Sequence, residues 1–312
     1  MRMSPSWKCW VAALVVTFGL AAVVPAFAQD GAVSGREVLR LTQEYVNVAP
    51  KRYIGSPGHA AAEAFIKDHF KPEVAKGDFV DDRFTARTPI GPLTMHNLIV
   101  KFPGKRDGII VLASHYETNY WLKDIRFVGA NDGACTTALL IALGQYYRVH
   151  PPQGYSVWLL FTDGEESINK EWTNQDSLYG TRHIAAKWTA NGTLGHIKAF
   201  VLADMIGWKQ LNIDRETNST PWLLDLLAKA GRETGHSKYL FKSSQAIEDD
   251  HLPFVERGVP SLDVIDYVYG TAENPEAYHH TELDTMDKLS ATSLQVSADI
   301  FVELVKLIDA RG

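Results

Sequence analysis

"YSVWLLFTDGEES" (residues 155–167) joins a short apolar run to two adjacent glutamates, Glu165 and Glu166. Val157–Phe161 is too short for a buried helix and too continuously apolar for a strand with one wet face. It reads as a strand covered on both sides, the signature of a parallel sheet sandwiched by helices. Neighbouring acids at the mouth of a buried strand repel each other, so something positive must offset them, and the sequence nearby offers little.

The flanking sequence supports that layout. "DFVDDRFTAR", "MHNLIVKF", "GIIVLAS", "AFVLADMI" and "SLDVIDYV" are further strand-like segments. Helical spacing covers 36–48, 59–70, 133–148, 177–190, 221–234, 250–257 and 289–310, with "GSPG" as a turn between the first two. The expected fold is a single α/β domain. Its sheet is mixed, mostly parallel and twisted, has helices on both faces, and is entered by an antiparallel pair.

Composition narrows the function. The chain has 312 residues, 46% hydrophobic, with formal charge −6. Arg2 and Lys8, the apolar "WVAALVVTFGLAAVV" and "AFA" at 26–28 have the layout of a cleaved signal peptide over residues 1–28, leaving 29–312 as the catalytic domain. The apolar run, about 15 residues, is short for a bilayer span. The expected protein is exported, periplasmic or secreted, with no stable membrane association after cleavage. Removing the leader leaves 29 basic against 37 acidic side chains, a charge of −8 that argues against a nucleic-acid partner. Cys9 leaves with it, so Cys135 has no disulfide partner within the chain. No "GxSxG" elbow of a serine hydrolase is present.

Polar residues collect where the strands end. "IIVLAS" runs into His115, "VWLLFTDG" into Glu165 and Glu166, "AFVLA" into Asp204, and "SLDVIDYVYG" leads to His279 and His280. The carboxyl ends of parallel strands share one edge, where open α/β sheets bind ligands. With Asp132 from "VGANDGA", the set becomes His115, Asp132, Glu166, Asp204 and His280, an imidazole–carboxylate mixture that suits zinc. Taken singly each has a plainer reading: Asn131-Asp132-Gly133 is a turn, and acids after a strand can favour a helix N-terminus. The joint pattern favours the metal. One glutamate of the pair can then ligate while the other handles protons, Glu166 and Glu165 respectively or the reverse.

The chain resembles the zinc-dependent exopeptidase superfamily in "SHYETN", "FVGANDGACTTALLIALG", "DGEES", "VLADMIG", "DDHLPFVERGVPSLDVI" and "HTELDTMDKL". Within it, "YIGSPG", "RFVGANDGA", "WTNQDSLYGTRHIAAKW" and "IEDDHLPF" resemble the animal-type glutaminyl cyclases. The cyclase resemblance implies one zinc on Asp132, Glu166 and His280, with Glu165 as general acid/base. It also implies an acidic pair, Asp204 and Asp250, behind Glu165 and Trp172 in the substrate pocket. In the aminopeptidases of the superfamily, the positions of His115 and Asp204 hold a second zinc. His279 borders the substrate site, and Glu117 suits a partner that orients His115. Trp208 and Trp121 are weaker pocket candidates.

The cyclase pattern has Trp immediately before the metal histidine, where this chain has Tyr278-His279. The Glu166–Trp172 segment is one residue longer, and the cysteine pair of the animal enzymes is absent. The implied activity is conversion of N-terminal glutamine of peptides or proteins to pyroglutamate with release of ammonia. The alternatives are two-metal hydrolysis of N-terminal residues by an aminopeptidase, or a non-catalytic binding domain that retains the fold.

Overall fold

The computed structural model describes Met1 and residues 33–311; the expected leader, apart from Met1, lies outside the described residues. Among the described residues there are eight strands: β1 (Phe79–Thr88), β2 (Gly91–Phe102), β3 (Arg106–His115), β4 (Tyr155–Thr162), β5 (Ile197–Asp204), β6 (Ile213–Glu216), β7 (Leu240–Gln245) and β8 (Ser261–Ile265). Six of them form one sheet in the order β1-β2-β4-β3-β5-β8. β1 and β2 pair antiparallel, β2 joins β4 antiparallel, and β4, β3, β5 and β8 run parallel. This is the expected mixed sheet, entered by an antiparallel pair.

Alternation along the central strands sets the two faces. On β3, Ile110 and Leu112 face one core with Ala199, Val201 and Ala203 of β5. Ile109, Val111 and Ala113 face the other with Phe200 and Leu202. Helices α1 (Gly35–Val48), α2 (Pro57–His69), α4 (Cys135–Val149), α6 (Pro221–Glu233) and α8 (Ala291–Arg311) supply the first core. Helices α5 (Tyr179–Ala190) and α7 (Leu252–Val255) supply the second. The short α3 (Lys71–Lys76) follows α2 directly.

Chain order places the functional edge. The segment leaving β3 returns as β4 on one side, whereas the segment leaving β5 returns as β8 on the other. The connections therefore part between the carboxyl ends of β3 and β5, the crevice where such sheets take ligands. His115 ends β3 and Asp204 ends β5. Three elements depart from the sequence reading: β6 and β7 form a separate two-stranded parallel sheet, and α7 is one turn rather than eight residues.

Candidate metal centre and active site

The turn after β4 holds its glutamates by local geometry. Gly164 has φ +69°, and a Cβ there would lie 2.7 Å from Met95 Sδ, so the turn requires glycine. The amides of Leu178 and Tyr179 donate to the carbonyls of Glu165 and Gly164 at 2.8 and 2.7 Å, tying the turn to the start of α5. The two side chains then take different partners. Glu166 Oε1 is 3.0 Å from His280 Nε2, and its Oε2 accepts from Asn119 Nδ2. Glu165 Oε2 faces His115 Nδ1 at 3.9 Å.

Asp132 comes from the irregular turn before α4. Its backbone is non-helical, and Gly133 follows with φ +81°. A Cβ on Gly133 would stand 2.7 Å from His115 Cε1, so this glycine lets the turn close onto the histidine. Asp284 accepts the amides of Asn131 and Asp132 at 2.9 and 3.1 Å, and the Tyr269 hydroxyl donates to it at 2.7 Å. Asp132 Oδ1 then lies 3.1 Å from His115 Nε2, and Oδ2 3.3 Å from His280 Nε2. Asp204 Oδ1 completes the group 3.5 Å from His115 Nε2. His280 is held at φ +52°, a left-handed conformation costly for a residue with a Cβ and of the kind concentrated at functional sites.

The electrostatics are those of a site short of positive charge. Asp132, Glu165, Glu166, Asp204 and Asp249 are all buried around His115 and His280. Burial pushes the Glu165 carboxyl well above its usual range, and the neighbouring Glu166 adds to this while His115 opposes it. Asp249 is raised by burial and then by Asp204 and Asp250. His279 is pushed down to about 4 by burial and the adjacent His280, so it stands as a neutral imidazole.

Several polar atoms here have no hydrogen-bond partner: both ring nitrogens of His115, Oδ2 of Asp132, Oδ1 of Asp204 and Oε2 of Glu117. Each buried ion carries a desolvation penalty of several kcal/mol unless it is compensated. Unpaired imidazole and carboxylate donors converging on one point fit a divalent cation, and hard or borderline N/O donors of this kind are zinc ligands. Two candidate groups overlap on Asp132: one with His279 and His280, the other with His115 and Asp204.

A cavity of about 570 Å³ opens over these residues, lined by Asp132, Glu165, Glu166 and Asp204, with Trp172, His279 and Tyr267 among its walls. Asp250 does not line this cavity. It is fully buried behind the site and accepts hydrogen bonds from the hydroxyls of Thr162 and Thr181. The neighbouring Asp249 lines the cavity, with Oδ2 unpartnered. Sequence reading did not single out Asp249; the doublet "DD" gives no sign of which carboxylate turns inward.

Glu117 accepts the Glu166 amide at 3.1 Å and stands 4.0 Å from His115 Nδ1, so its closer hold is on the glutamate turn. Trp121 meets the His280 ring edge-on at 5.9 Å between centroids. Trp208 packs on Tyr269 and Tyr278, away from the cavity lining.

Residues 97–305, spanning β3 through most of α8 and every residue of the site, match the model of peptidase family M28. The chain belongs to peptidase family M28. Among its relatives, the glutaminyl-peptide cyclotransferase of Drosophila melanogaster is 31% identical over 252 residues, 73% of this chain and 70% of that protein. The crystal structure of an Acidobacteriales bacterium glutaminyl cyclase is 63% identical, covers 92% of this chain and 99% of its own, and superposes with TM-score 0.89. A Zn-dependent exopeptidase from Parabacteroides distasonis, 20% identical, shares the fold with TM-score 0.76 over 89% of this chain and 98% of its own.

Proposed function

We propose that this M28 chain is a glutaminyl-peptide cyclotransferase that closes N-terminal glutamine of peptides or proteins to pyroglutamate and releases ammonia. The names of its relatives favour this reading over aminopeptidase action. The observation that carries the chemistry is the division of the adjacent glutamates, Glu166 paired with His280 and Glu165 facing the cavity with its proton affinity raised.

Asp132, Glu166 and His280 would hold one zinc. When bound, zinc supplies Lewis-acid polarisation of the γ-carboxamide and the positive charge that the buried acids lack. His115 and Asp204 would hold a second ion only in the aminopeptidase reading.

The chain's own residues do the proton work. The α-amine of the substrate attacks the γ-carbonyl carbon, a C–N bond forms, and the amide nitrogen departs as ammonia. Glu165 takes the proton from the attacking amine and returns it to the leaving nitrogen, a task for which a carboxyl raised toward neutrality is matched. Burial, then the like charges of Glu166, Asp249 and Asp250, keep that carboxyl's affinity high. Both reacting groups belong to one residue, so the cavity's main task is to select the folded conformer, with Trp172 and His279 as walls.

Among the described residues no helix is long and apolar enough to cross a membrane. We infer export from the leader sequence alone.

Incubating the purified protein with a glutamine-initiated peptide and with an aminoacyl chromogenic amide tests the reading. Loss of ammonia from the peptide, seen by mass spectrometry, is the expected result. Cleavage of the chromogenic amide without ammonia loss favours the aminopeptidase.

A further inference from the structure

The motif "YIGSPG" has no role in the chemistry above, yet the segment around it touches three of the segments that carry the site, those of His115, Asp132 and the glutamate pair. Arg52 is fully buried, and among the described residues it forms no salt bridge. Its guanidinium instead donates to four backbone carbonyls: Nε to Tyr116 at 2.9 Å, Nη1 to Val128 at 2.6 Å, and Nη2 to Gly129 and Asp132 at 2.8 and 3.1 Å. Tyr116 follows His115, and 128–132 is the turn that presents Asp132. A buried cation without a carboxylate is tolerated because carbonyl dipoles surround it. Breaking that cage would leave several buried acceptors unpaired.

Seven residues on, His59 Nε2 lies 2.9 Å from Asp163 Oδ1, in the glutamate turn. The same carboxylate accepts the His96 amide at 2.7 Å, and the Asp163 amide donates to Asn97 Oδ1 at 3.1 Å. The segment between is folded tightly. Gly55 has φ +81°, Ser56 Oγ caps α2 by accepting the His59 amide at 2.9 Å, and a Cβ on Gly58 would fall 1.9 Å from the Lys51 carbonyl oxygen. Glycine at 58 is therefore what lets the start of α2, with His59, fold back against the Lys51 carbonyl next to Arg52 in the chain.

We propose that Arg52 and His59 are positioning residues, a clamp that fixes the Gly129–Asp132 and Asp163–Glu166 loops in the geometry needed to hold the metal. Asp132 is gripped at both ends of its backbone, its carbonyl by Arg52 and its amide by Asp284, so the direction of its carboxylate is set from outside the site. Groups that orient a ligand in this way commonly change metal affinity 10–100-fold when removed. The inference rests on the metal reading proposed above.

The test measures Zn²⁺ affinity by competition with a chromogenic chelator, alongside kcat and KM at saturating zinc, for wild type, Arg52→Met, Arg52→Lys and His59→Ala. Zinc binding about 10-fold weaker or more in Arg52→Met and His59→Ala is expected, with partial recovery in Arg52→Lys and a loss in kcat larger than any change in KM. Should Arg52→Met fail to fold, Arg52→Lys and His59→Ala decide. Folded variants with zinc affinity and kcat within about twofold of wild type would overturn the clamp, since a 10-fold change is what removal of an orienting group brings. A wild-type protein that binds no zinc would overturn the metal reading itself, a separate outcome.

Discussion

His280 Nε2 stands 3.0 Å from Glu166 Oε1 and 3.3 Å from Asp132 Oδ2, so one imidazole draws together carboxylates 34 residues apart in the chain. The adjacent Glu165 is outside this group and faces His115. Glu165→Gln should therefore retain zinc while kcat falls by about 10²–10⁴, and His280→Ala should lose both zinc and turnover. Metal analysis with steady-state kinetics separates them. A fully active Glu165→Gln would contradict the division of labour.

The two aspartates of "EDDH" should part company in the same way. Asp249 lines the cavity, and Asp250 accepts from two threonine hydroxyls in the interior. Asp249→Asn should reduce kcat with little change in melting temperature. Asp250→Asn should destabilise by about 1–3 kcal/mol, because one hydroxyl donor then meets an amide nitrogen. Thermal melts and kinetics on both variants decide; equal effects on the two readouts would count against this assignment.

His59 gives the stability a pH dependence of known sign. Burial alone lowers its proton affinity, but the adjacent Asp163, with Glu63 and Glu117, more than offsets this and raises its pKa to about 9 from an ordinary 6.5. A histidine raised in the folded state contributes stability that is complete below about pH 6.5 and is lost as pH rises through about 9. The contribution is at most about 3 kcal/mol. Denaturant midpoints measured from pH 6 to 10 should converge for wild type and His59→Gln at the alkaline end. A constant gap across that range would rule out the linkage.

Removing the metal should loosen the whole edge of the sheet. A ligand that binds only the native state stabilises it by about 2.7 kcal/mol at 100 times its Kd. Chelation should thus lower the melting temperature by several degrees, and zinc should restore it. Calorimetry with and without chelator would show no change if the buried acids are neutralised by protons alone.

Much of this was legible in the sequence because it rests on periodicity. Period-2 alternation in β3 and β5 and the near-continuous run of β4 identify a sheet covered on both faces, and once the strands are parallel their ends must share an edge. His115, Asp132, Glu165, Glu166, Asp204 and His280 follow from that edge. What sequence reading missed depends on local rotation or long-range contact. Nothing in "EDDH" tells which aspartate turns toward the cavity. Arg52 looks like an ordinary surface charge beside a turn, and its burial follows only from the packing of carbonyls 64 to 80 residues away. The β6–β7 sheet is short and separate from the main sheet: β6 is four residues, three of them charged, and β7 has partly exposed residues that carry little pattern.

Anomalous diffraction at the zinc edge on crystals of the zinc-loaded protein tests the central claim most directly. The account predicts one zinc per chain, bonded to Asp132, Glu166 and His280 at about 2.0–2.2 Å. An ion held by His115 and Asp204 in its place, or no zinc at this edge of the sheet, would contradict it.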